Sequence, residues 1–374
     1  MKQILYSLNI PTKVYYGRGV LEISLEKVQK ECSWLSGNIL IVTTGRSLKR
    51  LGYIERLINY FKRISTVTSV EVFDDISANP ILSEINEAIS LGKEVNSNII
   101  VGFGGGSALD AAKAVAAGIP SETSIYELFR RNIEPKTVLP IIAIPTTAGT
   151  GSELSKAAIL NDEEEKTKGG LRGTALFPQI AIVDSVFTES VPFHITMETG
   201  FDVLAHAIES YVATSASPFS EMLSEYVIKE GTKSIKKLVE NLDDIEAREK
   251  MSFCSMIMGM NLGNTGTGLP HRMQYPIGSI TNSSHGEGLA ILYPAWIRYE
   301  KKYSEEKMEK VFSLMEVSEI EELLDLMKLR KNLRMLGIDE SELQVFHQRV
   351  TGNIANDPVS VEDDVIQKIY MESY

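Results

Sequence analysis

The first half of the chain is punctuated by short apolar runs that do not alternate with polar residues. Such runs mark strands buried on both faces. They predict strands over residues 39–42, 98–101, 140–144 and 180–183, and residues 67–73, with polar residues among the apolar ones, read as a further strand. Between them, apolar residues recur at helical spacing over residues 21–32, 48–64 and 81–95. Gly52 falls near the start of the second of these, and Asn79 and Pro80 form the turn that opens the third. Residues 3–8 and 12–16 read as two strands of a hairpin joined through residues 9–11. Strands alternating with helices predict a mostly parallel α/β sheet with right-handed crossovers. After Asp184 the texture changes, and helical patterns fill residues 196–213, 218–241, 245–262, 286–300, 304–316, 319–336 and 361–372. The expected architecture is an α/β domain over residues 1–187 followed by an all-helical domain over residues 188–374, with no flexible linker near Phe187. Charge runs at residues 162–168 and 305–310 read as solvated faces or loops.

At 374 residues and 43% hydrophobic composition, the chain is long enough to bury two sizeable cores. Its formal charge of −12 argues against nucleic acid or an anionic membrane surface as a general partner. Cys32 and Cys254 lie far apart without metal-type spacing, which fits two free thiols in a reducing compartment. The opening MKQILYSLNIPTKVYYG lacks the continuous apolar core and cleavage site of a signal peptide, and no apolar run approaches the eighteen residues of a membrane span. A cytoplasmic location is therefore expected.

Candidate chemistry concentrates in the second half. Asp202 and His206 are four residues apart in a helical pattern, so their side chains share one face. His271 and His285 follow. Three of the chain's five histidines thus belong to one stretch, and with Asp202 they can make a four-ligand shell for Zn or Fe(II). An isolated Asp-x-x-x-His is more often a surface pair or a satisfied core histidine; the company of the other two histidines is what favours a metal. Four protein ligands fill a tetrahedron, so a substrate oxygen must enter as a fifth, an expansion that suits Fe(II) better than Zn. His194 and His347 read as structural or exposed.

In the first half, Gly104, Gly105, Gly106 and Ser107 follow a strand and open a helix, an arrangement that lets a phosphate approach backbone N–H groups. Ser107 as N-cap with Asp110 three residues on looks like a capping box. The alternative is a tight turn in which glycine serves geometry alone, since a proper G-x-G-x-x-G is not present. The segment PTTAGTGSE, residues 145–153, puts threonines at a strand's carboxyl end, the edge where doubly wound sheets bind ligands, or is simply a Thr/Gly-rich loop.

These texts, together with GLPHRMQYPIG and SSHGEGLAILYPAW around His271 and His285, resemble the iron-containing (group III) alcohol dehydrogenases. The likeness runs from about residue 11 to the NDP at 356–358. It implies a dehydroquinate synthase-like architecture and a metal, usually iron, held by Asp202, His206, His271 and His285. It also implies a nicotinamide dinucleotide. Gly104, Gly105, Gly106 and Ser107 would cradle its phosphates, with Asp110 counted in the same text. Thr146, Thr147 and Thr150 would line the nicotinamide side, and Lys168 and Asn79 match cofactor-contacting residues. Gly45, Arg46 and Ser47 follow the first helix-linked strand, where an adenosine ribose belongs. NAD-using relatives carry Asp at about Gly45; Arg with small neighbours would instead favour a 2′-phosphate, so NADP(H) is preferred over NAD(H). Many relatives have a further His four residues after the third ligand; here it is Tyr275, whose hydroxyl could relay a proton or merely pack. Arg272 could meet an anionic substrate or serve as an ion-pair partner, and Glu209 could support the ligands.

The implied activity is hydride transfer between NADP(H) and a small primary alcohol or aldehyde. Alternatives are a polyol or keto-acid enzyme of the glycerol dehydrogenase or maleylacetate reductase type, or a non-catalytic nucleotide or metal sensor on the same fold. Relatives are commonly homodimers or larger homo-oligomers.

Overall fold

A computed structural model describes residues 9–44, 46–281, 283–361 and 364–374. The chain divides into two compact units. One comprises Pro11–Thr147 with Gly151–Thr188; the other comprises residues 9–10, 148–150 and Glu189–Tyr374. Residues 3–8 and Gly45, both assigned roles above, lie outside the described residues.

The first unit is an α/β fold. Its strands are β1 (Lys13–Gly17), β2 (Gly37–Val42), β3 (Val67–Phe73), β4 (Ser97–Gly104), β5 (Ile141–Pro145), β6 (Ala157–Asp162), β7 (Thr167–Arg172) and β8 (Ile180–Asp184). Its helices are α1 (Leu21–Glu31), α2 (Arg46–Arg50), α3 (Tyr53–Phe61), α4 (Leu82–Glu94), α5 (Gly106–Gly118) and α6 (Ile125–Arg130). Six strands form one sheet in the order β1-β8-β5-β4-β2-β3, every pair parallel. The central strands β2, β4, β5 and β8 are buried on both sides because helices cover both faces. Leu40, Val42 and Ile100 enter one core, whereas Ile39, Ile41, Ile99 and Val101 enter the other.

Two expectations change here, and a third, the solvated charge run, is borne out except at Asp162. The segment expected as the second strand of a hairpin pairs in parallel with β8. The single helix expected over 48–64 is two, because Gly52 takes the left-handed conformation (φ +72°) and interrupts the hydrogen-bond ladder between α2 and α3. The charge run at 162–168 is the tip of an antiparallel β6–β7 hairpin. Asp162 is buried there, its two oxygens accepting from Arg130 at 2.5 and 3.0 Å.

The second unit is helical throughout its described residues: α7 (Phe193–Val212), α8 (Pro218–Glu240), α9 (Ile245–Thr265), α10 (Leu269–Ile280), α11 (His285–Glu300), α12 (Glu305–Met315), α13 (Ile320–Leu326), α14 (Glu340–Arg349) and α15 (Val365–Glu372). None of the described helices is long and apolar enough to cross a membrane. The sequence pattern assigned no helix over α10, which carries two prolines; Pro270 is tolerated in the first turn, where its missing N–H is not needed. The helix expected over 319–336 stops at Leu326, and Lys328 turns left-handed (φ +59°).

The start of α10 is held by buried carboxylates. Gly268 N donates to Glu209 Oε2 at 2.7 Å and Leu269 N to Asp357 Oδ2 at 2.8 Å. A Cβ on Gly268 would lie 2.7 Å from Asp357 Oδ2 and 3.2 Å from Glu209 Oε2, so glycine is needed for that approach. Asp357 also accepts from Trp296 Nε1 and Val359 N, at 3.2 and 3.1 Å. Glu300 lies fully buried beside it. Burial pushes Glu300 up to about 9, helped by the Asp357 charge, and pushes Asp357 up to about 6 against the N–H donors that favour its ionised form. Glu300 is therefore the member that keeps its proton. Because its value is raised above the ordinary 4.5, its contribution to stability is complete below pH 4.5 and is lost as pH rises towards 9. Glu300→Gln keeps the neutral form at every pH. The melting temperature of the native chain should fall between pH 5 and 9, and that of the variant should fall less steeply; parallel slopes by circular dichroism would contradict the assignment.

Candidate metal centre and cofactor turn

In the α/β unit, the chain runs from β2 to β3 on one side and returns to β4 on the other, so the sheet's order reverses at the carboxyl ends of β2 and β4. Ligands of open α/β sheets bind at such a reversal. Gly104, Gly105 and Gly106 form the turn there, with Gly105 as the N-cap of α5 and no side chain capping it. A Cβ on Gly104 would sit 3.9 Å from the hydroxyls of Thr43 and Thr44, and one on Gly105 3.2 Å from that of Thr147. Bare backbone, a helix amino end and hydroxyls around it fit a phosphate. Thr43 and Thr44 were not singled out from the sequence; their signal was position, directly after a buried strand.

Ser107 corrects the capping-box expectation. It is the second residue of α5, and its hydroxyl donates to the Ala78 carbonyl. Asp110 is engaged inside the protein: Oδ1 meets Lys113 Nζ at 3.4 Å and the Ser152 hydroxyl, and Oδ2 accepts from Ile159 N at 2.9 Å. Lys113, wholly buried, donates to Ser152 Oγ and the Ala157 carbonyl at 2.6 and 2.7 Å. Burial lowers its pKa, with Asp110 opposing. These two residues tie α5 to β6. Lys168 Nζ donates to Asn79 Oδ1 at 3.1 Å, which brings together two residues far apart in sequence. Thr146 is buried, its N–H on the Gly104 carbonyl at 2.9 Å; Thr150 belongs to the helical unit. Arg46 and Ser47 are exposed at the start of α2.

In the helical unit, α7 presents Asp202 and His206 on one face, α10 carries His271, and His285 is the first residue of α11, directly after the N-cap Ser284. Asp202 Oδ1 lies 3.6, 3.4 and 3.5 Å from the Nε2 atoms of His206, His271 and His285. A tetrahedral ion with ligand bonds of about 2.1 Å has ligand-to-ligand edges of about 3.4 Å. Asp202 Oδ1 and His271 Nε2 are buried without any hydrogen-bond partner. Orphaned polar atoms at that spacing fit a divalent cation and little else, since a buried polar group left unpaired costs free energy. His285 is the most open of the four, its side chain 26% exposed.

The outer nitrogens are held too. His271 Nδ1 lies 2.7 Å from Glu209 Oε1, and His285 Nδ1 lies 2.7 Å from Gln274 Oε1. With Nδ1–H donating outward, each Nε2 turns its lone pair to the centre. Tyr293 Oη also donates to Glu209 Oε1 at 3.1 Å. Gln274 was missed in the sequence, where a glutamine carries no charge to attract notice. Burial pushes Asp202 up, but the three imidazoles around it win and hold it well below the usual carboxylate range. Burial drives His206 down to about 4, the neutral form that ligation needs. Burial also opposes charge on His271, yet the carboxylates of Glu209 and Asp202 draw it up to about 9. His194 and His347 are exposed, as their sequence context suggests.

Tyr275, one turn beyond His271, is buried, and its hydroxyl oxygen accepts from Arg272 Nη1 at 3.1 Å. Glu209 is the group whose loss should be read most directly in metal retention. Glu209→Gln should weaken divalent-metal affinity by about 10- to 100-fold in chelator competition, with the fold unchanged by circular dichroism; undiminished affinity would show that Glu209 serves packing alone.

Comparison with known proteins places the chain. Residues 11–185 match the model of the iron-containing alcohol dehydrogenases, and residues 196–374 that of the carboxyl-terminal domain of the same family. An NADPH-dependent butanol dehydrogenase of Clostridium saccharobutylicum is 30% identical over 309 residues, covering 81% of this chain and 76% of its own. A probable NADH-dependent butanol dehydrogenase of Bacillus subtilis is 28% identical over 305 residues, 80% of this chain and 77% of that one. The crystal structure of an iron-containing alcohol dehydrogenase from Thermotoga maritima superposes with a TM-score of 0.89 at 29% identity, covering 99% of both chains. The matched models span both units, and the chain belongs to the iron-containing alcohol dehydrogenase family of oxidoreductases.

Proposed function

We propose that the chain is a metal-dependent reductase of small aldehydes, run in reverse as a primary alcohol dehydrogenase, with NADP(H) as its cofactor. One observation carries the reading: Asp202 Oδ1 and His271 Nε2 are buried and unpartnered at tetrahedral-edge spacing from each other. Asp202, His206, His271 and His285 would hold one divalent ion, Fe(II) before Zn. Such an ion supplies Lewis-acid polarisation of a carbonyl, and a bound nicotinamide gives or takes the hydride. The chain's own contribution is orientation and proton supply. Glu209 and Gln274 fix the tautomers of His271 and His285. Tyr275 Oη, whose oxygen already accepts from Arg272, is free to hand its own proton to the reduced substrate oxygen.

The NADP(H) preference is supported by charge. Three of the five residues of α2 are basic, directly after β2 at the sheet's reversal point. Arg46 is exposed and makes no ion pair among the described residues, whereas Lys49 is paired with Asp74 at 3.0 Å. A 2′-phosphate on the adenosine ribose would find a ready guanidinium there. The relatives include an NADPH-dependent and an NADH-dependent enzyme, so kinetics decide.

Two experiments test the reading. His271→Ala should lose both stoichiometric metal, by elemental analysis, and oxidation of NADPH with butanal; full activity in that variant would refute the centre. With the native protein, kcat/KM should be higher for NADPH than for NADH, and Arg46→Glu should lower the NADPH value by about tenfold or more. A higher native value for NADH would overturn the cofactor preference while leaving the metal chemistry standing.

A further inference from the structure

α11 opens on His285, Gly286, Glu287 and Gly288, so two glycines stand in the first turn of a helix of 16 residues. Glycine is the poorest helix former after proline, so the reason for both lies in what they approach. A Cβ on Gly286 would lie 2.1 Å from the main-chain oxygen of Glu198, 2.6 Å from its carbonyl carbon and 3.0 Å from its Cα. All three are backbone atoms of α7, which no change of rotamer can move aside. A Cβ on Gly288 would lie 2.9 Å from Gln274 Cγ and 3.1 Å from Nε2, in the side chain that holds His285 Nδ1. That obstacle is buried, but as a side chain it can turn.

The Gly286 contact fixes a spacing. It joins α11, directly after His285, to α7 one turn before Asp202. One heptad further along both helices, Tyr293 Oη donates to the Ala205 carbonyl at 3.0 Å, and the Tyr293 ring meets that of Phe201 edge-on with centroids 5.0 Å apart. The two helices therefore run parallel and are pinned at two levels, with Asp202 on α7 between them. Asp202 Oδ1 and His285 Nε2 face each other across this pair at 3.5 Å. Side-chain carbons do not come within 3.0 Å of other atoms, so a methyl group on Gly286 forces the helices apart there by about an ångström. Held at Tyr293, they open at the end that carries His285. The edge from Asp202 to His285 lengthens, whereas the edge to His206 lies within α7 and stays. An edge of 3.5 Å suits ligand bonds of about 2.1 Å, and a longer edge suits a larger ion.

We infer that Gly286 is a positioning residue that sets the size of ion the centre accepts, by letting the backbone of α11 rest against that of α7. Gly288 acts differently. It makes room for Gln274, and so supports the tautomer of His285 without fixing the distance to Asp202. The inference rests on the metal centre proposed above and names what governs its choice among divalent ions.

The test compares Zn(II) with the larger Cd(II) by chelator competition on the whole chain freed of metal. Gly286→Ala should lower affinity for Zn(II) relative to Cd(II) by about tenfold or more. Gly288→Ala should weaken both ions alike and leave their ratio at the native value. A ratio unmoved by Gly286→Ala, or moved as far by Gly288→Ala, overturns the inference and leaves the metal centre standing. Binding of neither ion by the native chain sinks the centre and the inference together. Alanine favours helix over glycine, so the metal-free Gly286→Ala chain should keep the native circular dichroism. Co(II) gives a second readout, because its visible absorption is intense in a four-coordinate site and weak in a six-coordinate one. The native chain should show the intense spectrum and Gly286→Ala a weaker one. A weak, six-coordinate spectrum in the native chain overturns the inference, and that measurement stands even where the variant does not fold.

Discussion

Asp202 is 2% exposed and directs one oxygen at the Nε2 atoms of three histidines, and the helical unit is arranged so that this charge is answered. A buried carboxylate is costly unless cations or hydrogen bonds compensate it. Three helices supply the imidazoles, and each of two imidazoles is held from behind by a polar side chain of its own. The support continues outwards. Glu209 holds His271 and the N–H of Gly268, the N-cap of α10, Asp357 holds the first N–H of the helix itself, and Glu300 lies buried beside Asp357. A series of acids thus alternates with donors from the centre to the end of α11. Several of these groups hold more than one partner, so the centre is supported by a network and not by four ligands alone.

The α/β unit handles buried charge differently. Lys113 and Asp110 face each other across the first turns of α5 and recruit Ser152, the Ala157 carbonyl and the Ile159 N–H. They belong to the same motif as the glycine turn, but their side chains serve the packing of α5 against β6. Motif membership therefore says which residues occur together and does not say which of them touch a ligand. The turn itself works through backbone and through the absence of side chains, with Thr43, Thr44 and Thr147 as its neighbours.

Much of this was legible in the residues. Unalternating apolar runs located every strand of the parallel sheet's centre, because strands covered on both faces have no polar side. The i,i+4 spacing of Asp202 and His206 required no tertiary information, since helix geometry alone puts them together. Legibility failed where local signals were overruled. α10 contains two prolines and follows a glycine, yet it forms because its first N–H groups are met by Glu209 and Asp357 from elsewhere in the chain. The β6–β7 hairpin was hidden under a run of charges, because Asp162 is neutralised by Arg130 from α6. Ser107 looked like a cap but is drawn to the Ala78 carbonyl instead.

The residues alone determined the class of fold and offered the four metal-ligand candidates and the glycine turn, because these follow from periodicity, from residue type and, for Asp202 with His206, from helical spacing. Tertiary structure decided what surrounds them: that His271 leans on Glu209, that His285 leans on Gln274, and that Asp110 is consumed inside the protein. It also decided that Arg272 is buried without a carboxylate partner among the described residues. Pairing and burial are properties of groups brought together from distant positions, and no local pattern encodes whether a charge will find its counterpart.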